Sequence, residues 1–224
     1  MPYLRRDNDV FILDIGEEGQ TDTENRMTLG WFDEVNALLD EVEASTGPAA
    51  LVTTGTGKFY SNGYVPEELL RTPEDKHAHF LVAQTLFARL LSSQLPTVAA
   101  INGHAFAAGA LLAFAHDERF MRADRGFFCL PEIDIDIPIP GGMAALVLAQ
   151  VSAQTAQEAM FTGKRYGAAD AVAAGIARES AAPEDLLARA VDRAAQRAGH
   201  RGPTLSAIKS TTHRHVLQEL RIVS

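Results

Sequence analysis

Short apolar runs alternate along this chain with longer segments in which apolar residues recur at helical spacing. Runs bounded by polar or turn residues predict strands at Val10–Asp14, Ala49–Thr54, Pro96–Ile101, Arg119–Met121 and Gly126–Cys129. Strands that alternate with helices are typical of α/β proteins with a largely parallel sheet. The pattern therefore predicts the α/β fold class.

The helical periodicity is equally regular. It predicts helices at Trp31–Val42, His77–Leu91, Ala110–Ala115, Met143–Val151, Ala168–Ala174, Pro183–Ala198 and Pro203–Val223, with a further helix capped by Ser152. The segments between them are a loop at Gly16–Thr28, a long loop at Gly55–Pro73 and a turn of small residues at Gly103–Gly109. We divide the chain into a core at residues 1–182 and a C-terminal helical segment at residues 183–224.

Composition narrows the class of protein. Of the 224 residues, 46% are hydrophobic and 22% are charged, which suits a globular domain with a sizeable core. The net charge of −9 argues against nucleic acid as a partner. The single cysteine, Cys129, allows no intrachain disulfide, and we identify no signal peptide and no apolar run of about 18 residues. The sequence predicts a cytoplasmic protein without a membrane partner.

Two turns place backbone where side chains are small or absent. They are GKFYSNGYV (Gly57–Val65) and NGHAFAAGALLA (Asn102–Ala113), and each lies next to a predicted strand end. A turn that leaves a strand and enters a helix has free N–H groups, and two such groups aimed at one point form an oxyanion hole. Close packing of a helix on a strand also requires glycine and alanine, so the turns alone leave both interpretations open.

The segment LPEIDIDIPIPGG (Leu130–Gly142) contains three alternating carboxylates, Glu132, Asp134 and Asp136. In an extended segment this spacing places all three on one face. A solvated acidic edge explains at least two of them. A single carboxylate in an apolar stretch would instead have its pKa raised by desolvation, and could act as an acid or a base.

Other candidate sites are weaker. The His-x-His pairs at 77 and 79 and at 213 and 215 lie in predicted helices, where such residues diverge, so we expect solvent-facing histidines and no metal. Ser61, His104 and Asp117 would suit a hydrolase triad, but the G-x-S-x-G turn is missing. We find no Walker loop and no G-x-G-x-x-G motif. Cys129 follows two phenylalanines and is predicted to be a buried thiol.

Together, the two turns and the acidic segment resemble the crotonase superfamily, the enoyl-CoA hydratase/isomerase group. GKFYSNGYV is similar to the family's K-x-F-x-x-G-x-D, and PTVAAINGHAFAAGALLAFAHD to its P-x-x-A-x-x-G-x-x-x-G-G-G-x-E-L-A-x-x-x-D. LPEIDIDIPIPGG resembles P-E-x-x-x-G-x-x-P-G-x-G-G, and TGKRYGAADAVAAGIA (Thr162–Ala177) resembles a fourth motif. The order and spacing agree from about Val10 to Ala177, which is most of the chain.

The resemblance implies a spiral of ββα turns, with a helical C-terminal segment that forms a homotrimer or a dimer of trimers. It implies an acyl-CoA thioester substrate whose carbonyl is polarised by the backbone N–H groups of Tyr64 and Ala108. CoA is part of this substrate, so no separate cofactor is expected. Substrate contacts are implied for Lys58, Ser61, Gly63, Gly109 and Leu111. Lys58 would contact a phosphate or the adenine of CoA, unless it is a solvated loop lysine; Lys209 and Arg214 are weaker candidates.

One departure from the family pattern points to a particular reaction. Hydratases of the family use two glutamates; one aligns with Glu132, whereas the other position is occupied by Leu111. Moving a double bond needs only one base, so the resemblance implies a Δ3,Δ2-enoyl-CoA isomerase with Glu132 as its catalytic acid and base. The segments KFYSNGY and PEIDIDIP are similar to the corresponding segments of peroxisomal isomerase-like members of the family. Hydration, thioester hydrolysis, decarboxylation, a non-catalytic acyl-CoA binder and, more distantly, a serine peptidase remain alternatives.

Overall fold

A computed structural model describes residues 1–221, and within them nine strands form two sheets. The strands are β1 (Tyr3–Asp7), β2 (Val10–Asp14), β3 (Ala50–Thr54), β4 (Phe59–Ser61), β5 (Thr97–Ile101), β6 (His104–Phe106), β7 (Glu118–Arg122), β8 (Phe128–Cys129) and β9 (Glu179–Ala181). The larger sheet has the order β1-β2-β3-β5-β7-β9, and the smaller has the order β4-β6-β8. Among these nine strands of the described residues, only β1 and β2 pair antiparallel, so the predicted, largely parallel α/β architecture is confirmed.

Helices follow successive pairs of strands. They are α1 (Leu29–Ala44), α2 (Pro66–Leu69), α3 (Pro73–Leu91), α4 (Ala108–Phe114), α5 (Gly141–Gln150), α6 (Ala153–Thr162), α7 (Ala168–Ala173), α8 (Leu186–Ala195), α9 (Pro203–Thr212) and α10 (Arg214–Glu219), with a 3-10 turn at Ala198–His200. The Ser152 hydroxyl accepts from the Thr155 amide and so forms the predicted cap of α6. None of the helices formed by residues 1–221 combines the length and apolar character needed to cross a membrane.

The central strands β2, β3 and β5 of the larger sheet are buried on both faces. Phe11 and Leu13 point into the main core, whereas Val10 and Ile12 point into a second core on the opposite face. The second core is closed by α8, which contributes Leu186, Ala190 and Ala194. Parallel strands covered on both sides read as continuous apolar runs, which is why sequence pattern identified these strands.

Several short elements differ from the sequence prediction. The loop predicted at Gly55–Pro73 contains β4 and α2, and the turn predicted at Gly103–Gly109 contains β6. Three-residue strands give no periodic signal, and β1 is largely polar and exposed. The helix predicted at Pro203–Val223 is interrupted at His213, and its residues 222–223 lie outside the described residues.

The C-terminal segment packs against the core. Helix α10 contacts α5. The Lys209 ammonium donates to the Leu95 carbonyl at 2.7 Å and pairs with Asp117 at 2.7 Å. Both interactions hold the ammonium group of Lys209 inside the protein. The prediction that Lys209 contacts CoA was therefore wrong. The oligomeric role of residues 183–224 stays a prediction.

Candidate active site

The first turn of the site follows β4 and is held by the side chain of Asn25. The Asn25 amide donates to the carbonyls of Phe59 and Tyr60 at 2.8 and 3.2 Å. The chain then turns at Gly63, whose φ of +76° is readily adopted by glycine. The guanidinium of Arg26 donates to the Tyr64 carbonyl at 2.7 Å. The peptide that presents the Tyr64 N–H is held through its own carbonyl, because the Gly63 oxygen accepts from the Met27 amide at 2.9 Å.

The second turn joins β6 to α4. Ala107 has a φ of +50°, a conformation that non-glycine residues adopt at a cost. Ala108 is the first residue of α4, so its N–H has no partner within the helix. At Gly109 the helix touches β4, because a Cβ there would lie 2.4 Å from the Ser61 carbonyl oxygen. The sequence motif thus combines a free amide with close helix–strand packing, and both interpretations of the turn apply.

The two turns meet. A Cβ built on Gly63 would lie 3.3 Å from the Ala108 nitrogen, so the peptide leading to Tyr64 lies beside that amide. Among residues 1–221, no acceptor lies within hydrogen-bonding geometry of either the Tyr64 or the Ala108 N–H. Both residues line one cavity. Two unpartnered amides at one cavity wall are what an oxyanion hole requires.

Glu132 lies at the same cavity, in a turn between β8 and α5. The structure corrects our expectation of an extended segment, because residues 132–136 form turns and Asp136 has a φ of +56°. Glu132 is only 7% exposed, while Asp134 and Asp136 are exposed to solvent. The three carboxylates therefore do not share a face. Burial raises the pKa of Glu132 to about 7, which suits a group that takes and returns a proton near neutral pH.

The cavity has a volume of about 250 Å³ and is mostly apolar. Its lining comprises Arg26, Asn62, Tyr64, Pro66, Leu69, Leu70, Phe80, Ala107, Ala108, Leu111, Glu132, Ile135, Ile137, Pro138, Ile139, Pro140 and Met143. An apolar cavity with few polar groups is typical of a small-molecule site. It suits an acyl chain next to a polarised carbonyl.

The other predicted contact residues have different places. Leu111 lines the cavity, as the prediction requires of a substrate contact. Lys58 is exposed, with its ammonium 5.5 Å from the Phe59 ring centre, and it does not line the cavity. Gly63 and Gly109 shape the two turns without lining the cavity themselves.

Ser61 lies outside the cavity, contrary to what the sequence prediction requires of a substrate contact. It is fully buried; its hydroxyl donates to the Asn25 carbonyl at 2.7 Å and accepts from the Gly63 amide at 3.2 Å. A hydroxyl used in this way braces the first turn and is closed to substrate.

We expect Ser61→Ala to lower the free energy of unfolding by about 1–3 kcal/mol, because two buried groups lose their partner. Urea denaturation of the variant and the wild type measures this change. A variant of unchanged stability with a raised KM would contradict the bracing role and restore the substrate contact.

Sequence reasoning missed three residues of this region. Asn25 and Arg26 lie in a segment interpreted only as a polar loop. Asparagine is a residue that turns favour, and in the structure Asn25 has a φ of +48°. His79, predicted to face solvent, is 1% exposed. It lies on α3 with its ring 5.8 Å from that of Tyr64, and its Nδ1 donates to the Asp75 carbonyl at 2.8 Å. Its burial follows from the docking of α3 over the first turn.

Two neighbouring turns with free amides, set in repeated strand–strand–helix units, define a protein of the crotonase fold class. The fold superposes on human mitochondrial delta3-delta2-enoyl-CoA isomerase with a TM-score of 0.89, over 98% of this chain and 85% of that one, at 21% identity. Residues 20–222 match the family model described as Enoyl-CoA hydratase/isomerase. The chain belongs to the enoyl-CoA hydratase/isomerase family.

Relatives from a plant are similar over most of the chain. Enoyl-CoA delta isomerase 3 of Arabidopsis thaliana is 36% identical over 190 residues, which are 81% of this chain and 77% of the relative. The peroxisomal enoyl-CoA delta isomerase 2 of the same plant is 34% identical over 189 residues, with the same coverage of both chains.

Proposed function

We propose that the protein is an enoyl-CoA isomerase that converts 3-enoyl-CoA thioesters into 2-enoyl-CoA thioesters. The observation that carries this proposal is a single buried carboxylate, Glu132, in the cavity that holds the free amides of Tyr64 and Ala108. The names of the two Arabidopsis relatives support the same reaction.

The reaction needs one base and one oxyanion hole. The ionised Glu132 removes a proton from C2 of the substrate, and the electrons move to give a dienolate whose oxygen accepts from the two amides. One such donor is typically worth about 3 kcal/mol in the transition state. Glu132 then returns its proton at C4, which leaves the double bond between C2 and C3. No atom is gained or lost, and no separate cofactor is required.

Hydration is less well supported by this cavity. Adding water to a double bond requires two groups that orient and activate the water. Leu111, which lines the cavity at the position of the second family glutamate, has no polar atom. We therefore rank isomerisation above hydration, thioester hydrolysis and decarboxylation.

A substrate panel tests the proposal. Purified protein is incubated with 3-enoyl-CoA and with 2-enoyl-CoA thioesters of several chain lengths, and the products are separated by chromatography. We expect the first to give 2-enoyl-CoA and the second to give almost no 3-hydroxyacyl-CoA. Predominant hydration, release of free CoA, or tight binding without any conversion would each overturn the proposed reaction.

The pH dependence follows from the burial of Glu132. The base must be ionised, so kcat/KM should rise with pH, reach half of its maximum near pH 7, and level off above that value. A solvated glutamate would give a half-maximum near its ordinary pKa of about 4.3. Initial rates in constant-ionic-strength buffers measure the profile, and full activity at pH 5 would contradict this assignment.

Further features extend the proposal. We propose that exposed Lys58 contacts the nucleotide part of CoA from outside the cavity. We also propose that copies of the chain assemble as a homotrimer or a dimer of trimers. The compartment that we propose is the cytoplasm. The peroxisomal location in the name of one relative makes the compartment the least supported of these.

A further inference from the structure

Tyr64 has a second feature besides its backbone amide. Its side chain lines the cavity and is 9% exposed, with its ring packed near those of Phe32, His79 and Phe80. The phenol oxygen is buried and has no hydrogen-bond partner among residues 1–221. A phenylalanine would fill the same space without a polar atom that lacks a partner. A buried hydroxyl group that lacks a partner within the described residues therefore indicates a functional role.

The carboxylate of Glu132 has an oxygen atom that lacks a hydrogen-bond donor among residues 1–221. Its Oε2 atom is buried and likewise has no partner in the described part of the chain, so the two oxygens do not bond to each other. Both residues line the same cavity, and besides burial the charge of Glu132 contributes to raising the pKa of Tyr64. One is a donor without an acceptor, and the other is an acceptor without a donor.

We propose that Tyr64 is a positioning residue for the isomerisation: its hydroxyl donates a hydrogen bond, directly or through one water molecule, to the Glu132 carboxylate when that group is ionised. The inference rests on the proposed function, because it concerns the state in which Glu132 acts as the base.

Three other polar side chains of this region, those of Arg26, Cys129 and His79, do not supply a hydrogen-bond donor to the carboxylate. The Arg26 guanidinium bonds to Glu24 and to the Tyr64 carbonyl. The Cys129 thiol donates to the Gly163 carbonyl at 3.2 Å. Helix α3 contributes His79, which lies against the Tyr64 ring and whose Nδ1 donates to the Asp75 carbonyl. Its Nε2 has no hydrogen-bond partner within residues 1–221, but in a neutral ring that donates through Nδ1 this nitrogen is an acceptor and cannot donate to the carboxylate.

The remaining titratable groups cannot assist the ionised base. Asp134 and Asp136, on the same turn as Glu132, are carboxylates and have no proton to donate when ionised. Burial, and then the charge of Glu132, raises the pKa of Tyr64, so the phenol keeps its proton across the working range. Tyr64 is thus suited to donate to the base and unsuited to replace it.

The test compares Tyr64→Phe with Tyr60→Phe. Tyr60 is a buried tyrosine of β4 whose hydroxyl bonds to Thr53 at 2.8 Å, away from the cavity, so it controls for the loss of a phenol. Both variants keep their backbone amides. The measured quantities are kcat/KM for 3-enoyl-CoA from pH 5 to pH 10 and the thermal midpoint.

We expect Tyr64→Phe to move the acidic limb of the profile upward by about one pH unit, because a donor to the charged form is lost. The rate constant should then fall about tenfold at pH values well below both midpoints and recover towards wild type at pH 9. The thermal midpoint should not fall, and Tyr60→Phe should leave the limb in place. A loss independent of pH, or an unchanged profile, would overturn the proposal.

A second measurement separates this inference from the proposed function. The ionisation of Glu132 is followed by infrared difference titration of the carboxyl band, identified by its loss in Glu132→Gln. We expect a higher midpoint in Tyr64→Phe than in wild type even if the protein does not isomerise 3-enoyl-CoA. Equal midpoints would refute the role of Tyr64, whereas an inactive wild type would refute only the proposed reaction.

Discussion

Glu132→Gln is expected to reduce the isomerisation of 3-enoyl-CoA by about 10²–10⁴-fold, the range for removing a positioned acid–base group. Glutamine has the same shape but cannot accept a proton from C2. The protein should still fold, because the carboxyl group it replaces is buried and its Oε2 has no partner within residues 1–221. Substrate binding should also survive, since the amides of Tyr64 and Ala108 are unchanged.

The matched control is Asp136→Asn, which removes a carboxylate from the same turn. Asp136 is exposed, and asparagine tolerates its positive φ. We expect this variant to keep wild-type turnover. Steady-state rates with calorimetric binding of a saturated acyl-CoA measure both effects. A Glu132→Gln enzyme of normal activity, or a control as inactive as the test variant, would move the base to another carboxylate.

Gly109→Ala is expected to damage both the fold and the reaction. The new Cβ would lie 2.4 Å from the Ser61 carbonyl oxygen, and the groups it meets belong to the backbone and Cβ of β4. They cannot move away as a flexible side chain would. We expect a loss of about 1–3 kcal/mol in the free energy of unfolding. A displacement of α4 would also shift the Ala108 amide, and misplacement by about 1 Å can cost about 100-fold in rate.

Gly167→Ala is the control for this substitution. Gly167 precedes α7 with a φ of −69°, and a Cβ there would meet nothing within 4 Å. Its stability and rate should stay close to wild type. Urea denaturation and initial rates measure both variants. If Gly109→Ala unfolds at the wild-type midpoint and keeps full turnover, the close contact between α4 and β4 has no importance for the site.

The buried strands of the larger sheet could be predicted because their signal is local. Both faces of β2, β3 and β5 are covered, so most residues in them are apolar. Strand β1 has no such signal: its sequence YLRRD is polar, and it forms because each residue pairs with β2. Strands β4 and β6 are three residues long and depend on each other for pairing. Pairing between distant segments is a tertiary property that periodicity does not record.

The candidate site could likewise be predicted only in part. The resemblance to the enoyl-CoA hydratase/isomerase family implied Glu132, Tyr64 and Ala108, and the structure brings all three to one cavity. The sequence did not reveal which acid of the segment is buried, because a turn with a positive φ at Asp136 replaces the expected extended chain. It also misassigned Ser61, whose hydroxyl is used by groups from two separate loops. The roles of these residues stay predictions until they are tested.

The central claim is that one carboxylate carries a proton from C2 to C4 of the substrate. A single-turnover experiment with 3-enoyl-CoA deuterated at C2, analysed by mass spectrometry and NMR of the product, tests it most directly. The account predicts 2-enoyl-CoA in which part of the label has moved to C4, because the buried Glu132 holds the deuteron between the two steps. Product formed with no label at C4, its new hydrogen coming wholly from solvent, would contradict it.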